Sequence, residues 1–371
     1  MRHRGMRWSG IAVAVALCAT PAFATKYAGE FMKIPVGARA VGMGEAFTAV
    51  DDDATSPYWN PAGMVFLPYR EAFLQHAEEF GGLVGHNFGG VVMPLRQDGK
   101  DRAALGISGT WVGVSDIPIT PQPGGLQPGQ WLDYGSDNDP LTPGNGQGNG
   151  KWDPGERLLL SAEDLYMASS TDLDLGVSYA RQRGAHWCLG GTLKFVRQSI
   201  PDTLPGEHVT SFGAGVDAGA LYLVNDAVTL GAVVHDLTTT YLSWSDGVRE
   251  FVAPTLTTGA SVNFFPAPRH ALTWATDIAF DFEDRTFDDE LAMGAVTAEL
   301  RTGLEYWYRS TLALRAGVGG KDLDFGLGVR YKHFGVDYAA SLNRFFAASD
   351  PEFPDDQNLN TTHLVSASVS W

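Results

Sequence analysis

Apolar and polar residues alternate with period two through much of this chain. Over residues 324–331, Phe325, Leu327, Val329 and Tyr331 share one face, and Asp324, Gly326, Gly328 and Arg330 share the other. Residues 334–343 repeat the pattern, with Phe334, Val336, Tyr338, Ala340 and Leu342 opposite Gly335, Asp337, Ala339, Ser341 and Asn343. Leu312, Leu314, Ala316 and Val318 oppose Thr311, Ala313, Arg315 and Gly317. Leu173, Leu175, Val177 and Tyr179 likewise oppose Asp172, Asp174, Gly176 and Ser178. Each segment therefore predicts a β-strand with one greasy face and one polar, glycine-rich face. A soluble sandwich buries such greasy faces, whereas a membrane barrel turns them outward and keeps the polar faces in its lumen. Aromatics at strand ends, such as Tyr306, Trp307, Tyr308, Tyr331 and Phe334, suit the girdle of a barrel.

The pattern predicts about fourteen strands, near 69–77, 85–95, 103–115, 171–183, 186–199, 213–223, 227–237, 254–264, 270–280, 297–308, 311–318, 324–331, 333–343 and 361–371. Every second connection is short. Most of the others are long: 116–170, 200–212, 238–253, 281–296 and 344–360. Short turns at one end and long loops at the other predict an all-β, transmembrane, antiparallel up-and-down barrel, with residues 69–371 forming its wall. Both termini then lie at the short-turn end, the periplasmic side in a bacterial outer membrane. Residues 116–170 become an extracellular insertion, and residues 25–68 enter the lumen from below.

The beginning of the chain points to the same compartment. Arg2, Arg4 and Arg7 precede an apolar run at 11–19, and Ala22, Phe23 and Ala24 form a small-x-small cleavage site, so residues 1–24 are expected to be a signal peptide. Leu17 before Cys18 argues against a lipoprotein signal. Cys188 is then the one cysteine left, and no intramolecular disulfide is expected. The formal charge of the full chain is −17, and loss of three arginines with the leader makes it more negative. Acids gather in the long connections (Glu283, Asp284, Asp288, Asp289, Glu290, Asp350, Glu352, Asp355, Asp356), while the short turns are basic. This balance excludes nucleic acid as a partner. Outer-membrane lipid is the expected surrounding, and divalent cations bridging the acidic loops are one use for their charge.

Residues 37–63, GARAVGMGEAFTAVDDDATSPYWNPAG, break the strand pattern. Gly37, Ala38, Ala40, Gly42 and Gly44 leave almost no side chain, so this segment needs a surrounding wall. Pro61 biases Asn60 toward extended backbone, and Gly63 permits a tight exit. The run, with its Asn60-Pro61-Ala62 motif followed by Gly63, resembles the N-terminal hatch of the FadL superfamily of outer-membrane barrels. GARAVGMGEAFTAV followed by YWNPAG looks most like the PorV/PorQ branch. The resemblance implies a barrel of fourteen strands closed by a hatch. The branch implies a protein-interaction role, a non-enzymatic component of type IX-like secretion that docks exported proteins at the outer membrane with secretion-system partners. The wider superfamily implies the alternative, passive transport of hydrophobic small molecules. The alternating last strand with Trp371 at its end resembles the signal by which outer-membrane barrels are recognised for assembly.

Charges also fall on the predicted lumen face: Asp172, Asp174, Lys194, Asp217, Asp277, Arg301, Glu305, Arg315, Asp324, Arg330 and Asp337. Buried charges need partners, and Asp174 with Lys194 and Glu305 with Arg315 are expected pairs. Mixed signs favour bracing over a single polar track. Residues 145–156 place side-chain oxygens at Asn145, Gln147, Asn149, Asp153 and Glu156, a glycine at Gly150 and the Lys151 carbonyl at position seven. That is the spacing of an EF-hand calcium loop. Asn at the first position, charge from only Asp153 and Glu156, and no preceding helix leave two readings: weak extracellular Ca2+ binding or a solvated turn. The nine histidines show no metal-ligand spacing, and no nucleophile elbow or phosphate loop occurs, so no catalytic residues are assigned and the chain reads as a non-enzyme.

Overall fold

The computed structural model describes residues 28–79, 82–99, 101–120, 126, 129–134, 147–154, 156–160, 164–201, 207–282, 291–293, 296–342 and 361–371. The expected signal peptide, Asn145 and the acidic runs at 283–290 and 350–356 lie outside the described residues. The strands are β1 (Glu71–Glu79), β2 (Val84–Asp98), β3 (Asp101–Ile119), β4 (Tyr166–Arg183), β5 (Trp187–Pro201), β6 (His208–Leu223), β7 (Val228–His235), β8 (Thr240–Trp244), β9 (Arg249–Val252), β10 (Thr255–Ala267), β11 (His270–Asp281), β12 (Leu291–Met293), β13 (Val296–Tyr308), β14 (Leu312–Gly319), β15 (Asp322–Tyr331), β16 (Phe334–Leu342) and β17 (Thr361–Ser370).

Every pairing is antiparallel, and β17 returns to pair with β1, with Glu71 opposite Ser370. The Trp371 N–H also donates to Arg70 O at 3.0 Å, so the seam is bonded to its end. Closure removes the free edge that lipid cannot satisfy. β7 and β8 are one wall strand interrupted by a bulge. Val234 faces Ala218 and Tyr241 faces Ala214, seven steps on one side against four on the other. β9 and β10 likewise form one strand, and β12 is a short addition paired with β13. The wall therefore has fourteen strands. The expected loop at 238–253 is instead wall, drawn out into a β8–β9 hairpin. The expected insertion also shrinks at both ends, because β3 runs to Ile119 and β4 starts at Tyr166.

The two faces of the wall follow the alternation. On β15, Phe325, Leu327 and Val329 are 48–54% exposed, whereas Asp324 on the opposite face is 2% exposed. Leu175, Val177, Leu193, Phe195, Leu304, Leu314, Val336 and Val365 extend the outward apolar belt around the barrel. Such a belt, tens of residues wide, suits hydrocarbon rather than water. Among the described residues, no helix is long and apolar enough to cross a membrane.

Residues 28–67 fill the inside. They form four short turns, Glu30–Lys33, Ala38–Val41, Ser56–Trp59 and Pro61–Phe66, with no strand. Val36, Met43, Phe47, Ala54, Ala62, Met64, Val65 and Leu67 cluster with inward residues of the wall, including Phe73, Phe88, Val92, Ala180, Leu221 and Ala275. Small residues permit this fit. A side chain at Gly303 or Gly317 would collide with the Met43 backbone, and one at Gly219 with the Asn60 amide. Wall glycines therefore let plug backbone lie directly on wall backbone.

Candidate functional site: two cavities and the turn between them

The Asn60-Pro61-Ala62-Gly63 stretch is buried against the wall. Asn60 Oδ1 accepts from Ala62 N at 3.2 Å, capping the Pro61–Phe66 turn, while its Nδ2 donates to Thr48 O at 2.9 Å. Pro61 and Ala62 rest on Gly190, and Gly63 packs so closely on the Asp51 carbonyl that no side chain fits there. The motif thus ties the second half of the plug to the turn at Thr48.

That turn separates two spaces. Thr48 lines a cavity of about 110 Å3 nearer the long-connection end, together with Tyr58, Trp59, Phe88, Asp174 and Lys194. Ala49 and Val50 line a recess of about 260 Å3 toward the short-turn end, with Arg39, Leu223 and Asn263. Consecutive residues of one turn therefore face opposite spaces. Asp277 holds the turn: its Oδ2 accepts from Phe47 N at 2.9 Å and Thr48 N at 2.8 Å. Ser261 Oγ donates to Ala49 O at 2.8 Å. The inward aspartate on β11 is visible in the alternation, but its anchoring role is not, because its partners are backbone amides more than 200 residues earlier.

A second anchor is ionic. Arg39 of the plug donates from Nε and Nη2 to both oxygens of Glu305 at 2.8 Å and meets Asp52 and Asp53. Glu305 also takes Arg315 at 2.8 Å, Arg315 reaches Asp337 at 2.8 Å, and Arg330 closes the chain on Asp337 at 2.7 Å. The expected Glu305–Arg315 pair is present. The expected Asp174–Lys194 pair is not. Asp174 sits opposite Val196 on β5, and Lys194 Nζ turns to Asp217 at 2.9 Å and Asp236 at 2.8 Å. Asp236 reaches inward because the bulge gives it a left-handed backbone, φ 53°. No glycine marks the bulge in the sequence, so nothing in the pattern announces this partner.

Asp51 is the outlier of the plug. It is fully buried, and neither carboxylate oxygen has a hydrogen-bond partner, since the Ser56 hydroxyl donates to Asp53 O at 2.6 Å. Burial, reinforced by the nearby Asp53 charge, holds its carboxyl well above the usual carboxylate range.

The calcium-like spacing folds as a set of local turns. Asn149 Oδ1 accepts from Lys151 N at 2.7 Å, and its Nδ2 donates to Asp153 at 2.7 Å. Glu156 Oε2 accepts from Asp153 N at 2.8 Å. Asp133, absent from the expected ligand set, accepts from Gly148 N and Gly150 N. Gln147 and the Lys151 carbonyl belong to the same turn. Among the described residues, no three acidic, histidine or cysteine side chains are grouped to hold a metal ion.

The fold of this chain is thus a closed fourteen-stranded antiparallel barrel with its N-terminal segment in the lumen. The solved structures that share it include the CymD monoaromatic hydrocarbon channel, 14% identical over 91% of this chain and 98% of that one, with a TM-score of 0.54. The TodX monoaromatic hydrocarbon channel is similar in two mutant forms: deltaS2S3 at 14% identity and TM-score 0.52, and deltaS2 at 13% and 0.50, each over 91% of this chain. No protein-family model matches the chain, and no curated protein matches it.

Proposed function

We propose that this protein is a bacterial outer-membrane channel that passes small, largely apolar molecules inward, with the turn at residues 47–50 as its movable partition and both termini in the periplasm. One observation carries the reading: Thr48 and Val50, two residues apart, face separate spaces on the two sides of the plug. Two solved barrels that share the fold, CymD and TodX, are monoaromatic hydrocarbon channels, which supports the same reading. The partition is held by hydrogen bonds rather than by covalent or extended-sheet structure. Two bonds to a carboxylate contribute roughly 1.5–3 kcal/mol each, an amount that ligand binding can offset. In this reading residues 25–68 act as the hatch, Asn60 sets its closed shape, and Trp371 serves barrel assembly. No catalytic step is assigned to the chain.

The test is uptake by whole cells. Loss of the protein should slow entry of a monoaromatic solute such as toluene, and Asp277→Ala should speed it, with export of surface proteins unchanged in both. Unaltered uptake combined with failed surface export would instead support the docking role in type IX-like secretion. That second reading rests on the PorV/PorQ-like wording of residues 37–63.

A further inference from the structure

The cavity on the long-connection side joins a charged lining to an aromatic one. Four carboxylates, Asp174, Asp217, Asp236 and Asp281, line it with two ammoniums, Lys33 and Lys194, the Arg301 guanidinium and the His235 ring. Lys194 is already spent on Asp217 and Asp236. The other basic groups in the lining are also engaged: Lys33 with Asp281 at 3.2 Å, Arg301 with Glu45 at 3.0 Å and Glu299 at 2.6 Å, and the His235 ring with Asp217 at 3.6 Å. Asp174 has no cation within ion-pair distance, and its Oδ1 is enclosed without a hydrogen-bond partner. An enclosed carboxylate in that state is costly unless something answers it.

The aromatic side of the cavity complements this. Tyr58 packs edge-on against Trp59 and Phe88, with ring centroids 5.1 and 6.3 Å apart. Its hydroxyl donates to Ile34 O at 3.0 Å, and Trp59 Nε1 donates to Val36 O at 2.9 Å. Both polar handles are therefore used inside the plug, and the rings offer π surface to the cavity. The space of about 110 Å3 is of the order that accepts a single benzene-sized ring. π surface and a spare carboxylate are the two features that together recognise an organic cation. A carboxylate ligand would meet Asp174 with the same sign of charge and find no free cation.

We infer that this cavity binds small organic cations, an ammonium attached to one aromatic ring or short apolar group, with Asp174 as the charge partner and Tyr58, Trp59 and Phe88 as the ring wall. The inference rests on the channel reading only for how the ligand arrives, and it adds to the apolar cargo of that reading a preference, at this cavity, for molecules that carry an amine.

Calorimetry on the purified full-length barrel in detergent tests it with three probes of one shape: benzylamine, benzyl alcohol and benzoate. Benzylamine should bind about tenfold or more tighter than either of the others, as expected for a charge contact in an enclosed site. Asp174→Asn, nearly isosteric, should remove that preference and leave benzyl alcohol within about twofold. Equal binding of the three probes by the wild-type protein would overturn the proposal without any variant having to fold. So would benzylamine binding untouched by Asp174→Asn. Failure of the channel reading would appear separately, as unchanged solute uptake by cells with this cation preference intact.

Discussion

Asp51 shows how much a single side chain in the plug can control. Its carboxyl is neutral-favouring in the packed plug because burial, and then Asp53, oppose its charge. The sign follows directly. A folded-state pKa raised above the unfolded value stabilises the packed plug at low pH, and that contribution is lost as pH rises through the raised value. Between the unfolded value and that raised one each pH unit removes about 1.4 kcal/mol, and above it the loss stays constant. Protease cleavage within residues 28–67, followed against pH, should therefore increase as pH rises. Asp51→Asn should flatten that rise and leave the plug resistant, and a variant with the wild-type profile would remove Asp51 as the cause. At this scale the sequence was partly legible. The Asn60-Pro61-Ala62-Gly63 motif stands out because a proline and a glycine flank a capping amide. Asp51 reads only as one of three acids interrupting an apolar run. Asp52 and Asp53 meet Arg39, while Asp51 has no such partner, and neighbours in sequence cannot be told apart without the fold.

At the scale of elements, alternation locates strands well wherever one face meets lipid and the other the lumen. It fails at the bulge. Asp236 and Thr239 both take positive φ, and Leu237 N still reaches Val216 O at 2.8 Å, so the strand continues through what reads as a loop. The residues there, Asp-Leu-Thr-Thr-Thr, contain neither glycine nor proline to mark a kink. The EF-hand-like run is the opposite case, since its spacing is plain but the oxygens of Asn149, Asp153 and Glu156 accept from N–H groups of the same run. Calcium, as proposed from that spacing, would have to replace the N–H donors on Asn149 and Glu156. Only weak binding is then expected, in the range of extracellular modules at about 10⁻⁴–10⁻³ M. Calorimetry should show uptake at millimolar calcium that Glu156→Ala abolishes while the barrel stays folded. No heat from the wild-type protein would leave the solvated turn.

For the whole molecule, strand number was legible because the lipid and lumen faces impose one repeated rule; connection lengths were less so, since 238–253 is wall and 200–212 narrows to the six residues between β5 and β6. What filled the lumen was legible only as a stretch too poor in side chains to stand alone. Orientation in the membrane is the molecule-scale prediction. A cysteine placed at Asp246, in the β8–β9 turn, should react with an impermeant maleimide on intact cells. One at Asp98, in the β2–β3 turn, should react only after permeabilisation, and the opposite result would invert the barrel. The interior contacts also carry a consequence for biogenesis. Arg39 waits for Glu305, 266 residues on, and Lys33 for Asp281, 248 residues on. The plug is translated before every strand, yet the wall around it is complete only when β17 meets β1. The plug's backbone lies against inward glycines and its charges pair with the wall, so packing of the plug and zipping of that last pairing are expected to be coupled. The segment that fills the lumen would then also serve as the mandrel on which the cylinder is wound. Such distant pairings make the process slow, and shortening the N-terminus should therefore show first as late closure of the seam.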